Sequence, residues 1–184
     1  MNYYHLYKFL KPFLFRLDPE YVHNNIFLLL TIFEKLFSPI NPVKGAPESN
    51  PCQLNGITFK NPVGLAAGLD KNGTYIDSLS RFGFGHIEVG TVTPKPQEGN
   101  LKPRLFRLVK DRALINRMGF NNQGIDRVIS NIKKSKWVKE KKGVLGINLG
   151  INSSTRLDSA HEDYNIGLEK CFSFADYFVI NISS

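Results

Sequence analysis

Hydrophobic positions in this chain come in short blocks set off by polar and glycine-containing stretches, and their spacing changes along the sequence. Residues 3 to 16 interleave Tyr, Phe and Leu with Lys8, Lys11 and Arg16, and residues 26 to 33 are apolar almost all round. Two helices are predicted there, the second opening at Asp18-Pro19-Glu20 and running to about Phe37. Asp accepts hydrogen bonds from the first free N–H groups of a helix, Pro fits the first helical position, and Glu suits the positive end of the dipole. The apolar run is flanked by charge and falls far short of the ~18 residues a membrane span requires. Aromatic faces with basic flanks leave two readings, helices lying in a membrane interface or an ordinary hairpin packed on the main domain. Pro39, Pro42 and Pro47, with Ser38, Asn41, Gly45 and Ser49, predict a linker that separates a helical extension, 1–44, from the remainder, 45–184.

Beyond the linker the period shortens. A hairpin is predicted over 52–60, turning at Asn55-Gly56. Strands follow at 63–67, 86–92, 144–149 and 177–182, alternating with helices at 73–82, 122–134 and 161–172; residues 104–116 form an excursion of short strands. Apolar strands alternating with helices specify a parallel sheet covered by helices. Either a doubly wound sheet or a (β/α)₈ barrel fits. Polar residues at the strand ends favour the barrel, which gathers its chemistry at the carboxyl ends of its strands. Those ends carry Asp70, Lys71 and Asn72, then Thr91, Asn148, and Asn181 with Ser183 and Ser184. Only four strands are predicted, so the fold class is α/β, the first four strand-helix units of a TIM barrel behind an N-terminal helical extension.

Composition adds exclusions. Fourteen Phe and seven Tyr in 184 residues supply enough apolar area to exclude disorder. Cys52 and Cys171 lie far apart, and no secretory segment precedes them, so a disulfide framework is not expected. The net charge of +8 suits an anionic membrane, an acidic ligand or nucleic acid equally. Lys133, Lys134, Lys136, Lys139, Lys141 and Lys142 crowd around Trp137, and the ordinary reading is a solvated helix end and loop, with no nucleic-acid partner. His5, His23, His86 and His161 are scattered without ligand spacing, so no metal is expected. Neither common glycine-rich phosphate fingerprint occurs.

Lys71, Asn116, Asn121, Asn148, Asn181 and Ser184 suggest a flat, polar, acidic ligand. An amide presents donors and an acceptor on one plane, matching a cyclic imide or pyrimidine edge, and Lys supplies a cation. The glycines at 64 and 68 leave room for a planar group near the backbone. Each residue alone has an ordinary role as turn, punctuation or solvated charge. Their joint placement at successive strand ends favours a shared site. From residues alone the reading stops at an α/β enzyme domain that binds a planar anion.

The runs Asn61-Pro62-Val63-Gly64-Leu65-Ala66-Ala67-Gly68-Leu69-Asp70-Lys71-Asn72-Gly73, Glu88-Val89-Gly90-Thr91-Val92-Thr93-Pro94-Lys95-Pro96-Gln97-Glu98-Gly99-Asn100, Ile115-Asn116-Arg117-Met118-Gly119-Phe120-Asn121-Asn122 and Asn181-Ile182-Ser183-Ser184 closely resemble class 2, quinone-dependent dihydroorotate dehydrogenase. The resemblance extends to Leu17-Asp18-Pro19-Glu20. It implies oxidation of (S)-dihydroorotate to orotate through FMN in pyrimidine biosynthesis, with ubiquinone or menaquinone as acceptor. By resemblance Ala67, Gly68, Leu69, Asp70, Lys71, Thr91, Asn148 and Asn181 contact FMN. Lys71, Asn116, Arg117, Met118, Gly119, Phe120 and Asn181 hold the substrate, Ser184 is the catalytic base, and His23 and Arg107 lie near the quinone head group. Cytosolic class 1 relatives place Cys at the base position and lack the helical extension. The implied location is a peripheral membrane one, on the cytoplasmic face of a bacterial inner membrane or on the mitochondrial inner membrane of a eukaryote.

The family continues past this sequence, so the expectation is that 184 residues hold the first half and are incomplete and inactive by themselves. The alternative is a truncated, non-enzymatic membrane-surface or interaction module.

Overall fold

The computed structural model of the chain describes residues 3–37 and 50–183. The predicted linker with Pro39, Pro42 and Pro47, the boundary at residue 44, and Ser184 lie outside these. In chain order the elements are α1 (Tyr3–Leu14), α2 (Pro19–Phe37), β1 (Cys52–Leu54), β2 (Ile57–Phe59), β3 (Gly64–Leu65), α3 (Ile76–Ser80), β4 (His86–Val92), β5 (Leu105–Leu108), β6 (Ala113–Asn116), α4 (Ile125–Ile132), α5 (Lys136–Lys139), β7 (Val144–Leu149), α6 (Ala160–Cys171) and β8 (Tyr177–Ile180). They form two compact units, Met1–Pro39 with Leu101–Met118, and Ile40–Asn100 with Gly119–Ser184.

In the first unit α2 starts as its sequence requires. Asp18 Oδ1 accepts from the backbone N–H of Tyr21 at 2.8 Å, and Pro19 takes the first helical position. Glu20 does more than suit the dipole. It is 7% exposed and forks onto Arg104, which is 6% exposed and 84 residues away. Arg104 Nε donates to Oε2 at 3.0 Å and Nη2 to Oε1 at 2.6 Å. This buried pair ties α2 to the excursion, an antiparallel β5–β6 hairpin. Several apolar side chains of the helices remain exposed, among them Phe9 at 69%, Phe13 at 56% and Leu29 at 61%. No helix among the described residues is long and apolar enough to cross a membrane.

The second unit is built on a parallel sheet in the order β3-β4-β7-β8. Ile87, Val89, Leu145, Ile147 and Leu149 are all but fully buried, as are Ile125, Val128 and Ile132 on the apolar face of α4. Fully burying such a side chain contributes roughly 1.5–3 kcal/mol. The alternate positions of β4 and β7 carry Glu88, Gly146 and Asn148 on the other face. The β1–β2 hairpin turns where predicted, with Asn55 at φ 49° and Gly56 at φ 80°. Its Phe59 ring meets His86 edge-on at 5.3 Å.

Several elements are shorter than the pattern predicts, each for a local reason. β3 stops at Leu65 because the chain turns away through Gly68 at φ +106°. The helix predicted from 73 starts at Ile76, because the Asp70 carboxylate takes the N–H groups of Thr74 and Tyr75. β8 ends at Ile180, after which the Asn181 side chain closes a turn onto Ser183. The lysine-rich segment contains one helix more than predicted. Asp77 accepts from the N–H groups of Lys136 and Trp137 and from the Ser135 hydroxyl, starting α5, which buries Trp137 and leaves its lysines in solvent.

Replacing Glu20 by Ala takes the forked carboxylate away from the buried Arg104 guanidinium, and denaturant unfolding should show a loss of about 3–5 kcal/mol. The Arg104 guanidinium holds the Glu20 carboxyl below its ordinary value of 4.5. The pair's contribution is therefore complete above that value and is lost as pH falls through the depressed one. The stability difference between wild type and Glu20→Ala should shrink over that acid range.

Candidate active site

Parallel pairing sets the carboxyl ends of β4, β7 and β8 side by side, and three polar side chains meet there. Thr91 Oγ1 donates to Asn148 Oδ1 at 2.7 Å, and Asn181 Nδ2 donates to Thr91 Oγ1 at 2.9 Å and to Asn148 Oδ1 at 3.1 Å. Strict alternation would put Thr91 on the helix-covered face with Val89. The β4–β7 register shifts between Val89 and Val92, and this irregularity turns Thr91 toward Asn148. Gly90 sits in it at φ +118°, where a Cβ would strike the Asn148 carbonyl oxygen, so both conformation and space demand glycine.

Below Asn148, its Nδ2 donates to Glu88 Oε1 at 2.9 Å, and the Tyr177 hydroxyl donates to Glu88 Oε2 at 3.1 Å. Burial, then the Glu88 charge, pushes the Tyr177 hydroxyl pKa well above its ordinary value, so it stays a donor. Gly146 makes room for this layer, since a Cβ there would overlap the Tyr177 ring.

The loop after β3 joins the site through Gly68, whose N–H donates to the Gly90 carbonyl at 2.8 Å. Lys71 Nζ donates to the Gly68 carbonyl at 2.8 Å, which brings its ammonium back over the loop. Ala67, Leu69 and Lys71 are half-buried and Gly68 is exposed, with nothing within 4 Å of the position a Cβ would take. Asp70 is buried and its carboxylate serves the loop itself; burial raises its pKa against the pull of the backbone N–H groups it accepts from.

A second polar cluster, not singled out in the sequence, locks three loops together. Asn152 Nδ2 donates to Thr93 Oγ1, the Lys95 carbonyl and Gln97 Oε1 at 2.9–3.1 Å, and Asn152 Oδ1 accepts from the N–H of Lys95 at 3.0 Å. Gln97 Nε2 donates to the Gly119 carbonyl, and Asn122 Nδ2 to the Phe120 carbonyl and Thr93 Oγ1. Gly119 and Phe120 are thereby held, and the Phe120 ring and Thr91 methyl both flank Gly150. The signal available was the density of Asn, Gln and Thr just after β4 and β7. Asn121 Oδ1 is buried with no hydrogen-bond partner among the described residues.

The expected substrate residues divide between the units. Gly119 and Phe120 belong to the second, whereas Asn116, Arg117 and Met118 belong to the first. There Asn116 ends β6 exposed, and Arg117 donates to the Pro103 carbonyl at 3.1 Å. His23 and Arg107 are also in the first unit: the His23 ring meets Phe27 at 4.8 Å, and Arg107 donates to the Leu17 carbonyl at 2.8 Å and lies over the Phe15 ring. Ser184 lies outside the described residues, but the segment entering it is held, since Asn181 Oδ1 accepts from the N–H and hydroxyl of Ser183.

Residues 51–184 match the sequence profile described as dihydroorotate dehydrogenase. The chain belongs to the dihydroorotate dehydrogenase family. Among its relatives, the dihydroorotate dehydrogenase (quinone) of Janthinobacterium sp. (strain Marseille) is 51% identical over 179 residues, covering 97% of this chain and 51% of the relative. That of Acinetobacter baumannii (strain ATCC 17978) is 50% identical with the same coverage. A crystal structure of DHODH in complex with ferulenol from Eimeria tenella superposes with a TM-score of 0.77 at 42% identity, over 91% of this chain and 44% of that one. The chain spans about half the length of the curated relatives it matches. The α/β class with a parallel sheet preceded by helices agrees with the sequence expectation.

The family implies a flavin, and the second unit's residues fit one. Three converging amide and hydroxyl groups form a polar floor, and open space stands over Gly68 beside them. Lys71 adds a cation at the edge.

Asn152→Ala should cost about 2–4 kcal/mol, because several buried donors and acceptors lose one common partner. Thermal unfolding measures the loss, and a variant as stable as wild type would show that the loop lock carries no weight.

Proposed function

We propose that the protein bearing this sequence oxidises dihydroorotate to orotate through FMN and passes the electrons to a membrane quinone. The observation that carries the reading is the convergence of Thr91, Asn148 and Asn181 at the strand ends beside the Gly68 loop. Family membership and the quinone-type relatives support the chemistry.

In this reading Ala67, Gly68, Leu69, Asp70, Lys71, Thr91, Asn148 and Asn181 hold the cofactor. FMN, when bound, supplies a two-electron acceptor for the hydride leaving C6 of the substrate. Lys71 places a cation where negative charge develops, and oriented amides act without the reorganisation that water would need. Lys71, Asn116, Arg117, Met118, Gly119, Phe120 and Asn181 hold the planar substrate. The Ser184 hydroxyl takes the proton from C5. Serine is a weak base in water, so it needs a closed site and a hydrogen-bonded relay to pass that proton on. The C5 proton and the C6 hydride together balance the double bond formed in orotate.

His23 and Arg107 serve the quinone head group, and the exposed apolar side chains of α1 and α2 lie in the membrane interface, where apolar burial and basic charge add. In this reading the protein is peripheral, on the cytoplasmic face of a bacterial inner membrane or on the mitochondrial inner membrane of a eukaryote. The test is anaerobic reduction of bound FMN by dihydroorotate in the complete protein, followed by reoxidation with quinone. No bound FMN, or no reduction, would sink the reading in favour of a non-enzymatic module.

Ser184→Ala should slow flavin reduction at neutral pH by roughly 10²–10⁴-fold, as loss of a general base does. Lys71→Ala should weaken flavin or substrate binding, measured by titration of each. Vesicle flotation of the protein with and without residues 1 to 38 tests the interface. The expected result is loss of binding on deletion, and undiminished flotation would refute it.

A further inference from the structure

The functional reading leaves one inward-facing carboxylate without a task. Glu88 stands on β4 beneath the site, with Oε1 accepting from Asn148 Nδ2 at 2.9 Å and Oε2 from the Tyr177 hydroxyl at 3.1 Å. A carboxylate has only acceptors, so both partners must donate to it. Asn148 therefore turns Nδ2 down and Oδ1 up, where Oδ1 accepts from Thr91 Oγ1 at 2.7 Å and from Asn181 Nδ2 at 3.1 Å. With its proton committed to Asn148, the Thr91 oxygen accepts from Asn181 Nδ2 at 2.9 Å. Asn181 is left presenting Oδ1 to the next segment, where it accepts from the Ser183 N–H at 3.0 Å and hydroxyl at 2.6 Å.

The direction of donation thus runs unbroken from Ser183 to Glu88. An amide has nearly the same shape in both orientations, so packing alone does not choose between them; the acceptor-only group at the end of the chain does. The Tyr177 hydroxyl, held as a donor, braces that group from the other side.

We propose that Glu88 is a positioning residue whose carboxylate orients the Asn148 and Asn181 amides, and so decides which atoms the strand ends turn toward the flavin and which toward the segment leading to Ser184. The proposal rests on the functional reading above and adds a residue to it.

Glu88→Gln keeps the volume but lets the group donate as well as accept, so the chain loses its fixed direction. Glu88→Gln combined with Asn148→Asp moves the acceptor-only group to position 148 and restores the direction beyond it. The complete protein is compared for FMN affinity by titration of the apoprotein, for hydrogen exchange of the Asn181 side-chain amide by NMR, and for thermal midpoint. In Glu88→Gln the FMN dissociation constant should rise about tenfold or more, the loss expected when a hydrogen bond to a charged group is disturbed. Exchange at Asn181 should accelerate while the thermal midpoint stays close to wild type, and the double substitution should slow that exchange again. Unchanged FMN affinity or unchanged Asn181 exchange in Glu88→Gln overturns the proposal, as does a double substitution that leaves exchange fast. A wild-type protein that binds no FMN overturns the functional reading and the proposal together. A wild-type protein that binds it, beside a Glu88→Gln variant that binds it equally, overturns the proposal alone.

Discussion

The parallel register of β4, β7 and β8 is the constraint from which the site follows. Glu88 pairs with Gly146, Gly146 with Tyr177, and Asn148 with Val179, so side chains 60 and 89 residues apart in the chain reach one carboxylate. A slip of one residue in any strand would send its polar members to the helix-covered face. Glycine at 146 and at 90 is the steric condition of that register, because a Cβ at either would collide with Tyr177 or with the Asn148 backbone.

A polar cluster inside a sheet is stable only when its members satisfy one another, since each unpaired buried group costs about 1–3 kcal/mol. Thr91, Asn148, Asn181, Glu88 and Tyr177 meet that condition through mutual bonds, and Asn152 with Thr93, Gln97 and Asn122 meets it among the loops above. The first cluster sets the atoms of the floor and the second holds Phe120 beside it.

The first unit is organised by a different means. Its helices leave Phe9, Phe13 and Leu29 largely exposed, and α2 is joined to the excursion through Glu20 and Arg104, a forked pair with both partners nearly dry. Such a pair adds less net stability than apolar packing of the same volume, but its geometry admits one arrangement. It gives Glu20, the last residue of the helix cap signature Asp18-Pro19-Glu20, a partner 84 positions away.

Local patterning by itself determined most of the elements and marked the polar residues that close the apolar strands. The bounds of β4 and β7 and the Asn55-Gly56 turn follow from apolar blocks and turn chemistry, which act within a few residues. Thr91, Asn148 and Asn181 were legible for the same reason, as polar residues closing apolar strands. Their hydrogen bonding to one another, the irregularity that turns Thr91 inward, the hydrogen-bond partners of Glu88, Tyr177, Gln97 and Asn152, and the joining of α2 to the excursion through Glu20 were decided only by the tertiary structure. Those features depend on which strands lie side by side and on what faces each side chain across the sheet. Such contacts join residues tens of positions apart, and no periodicity along the chain encodes them.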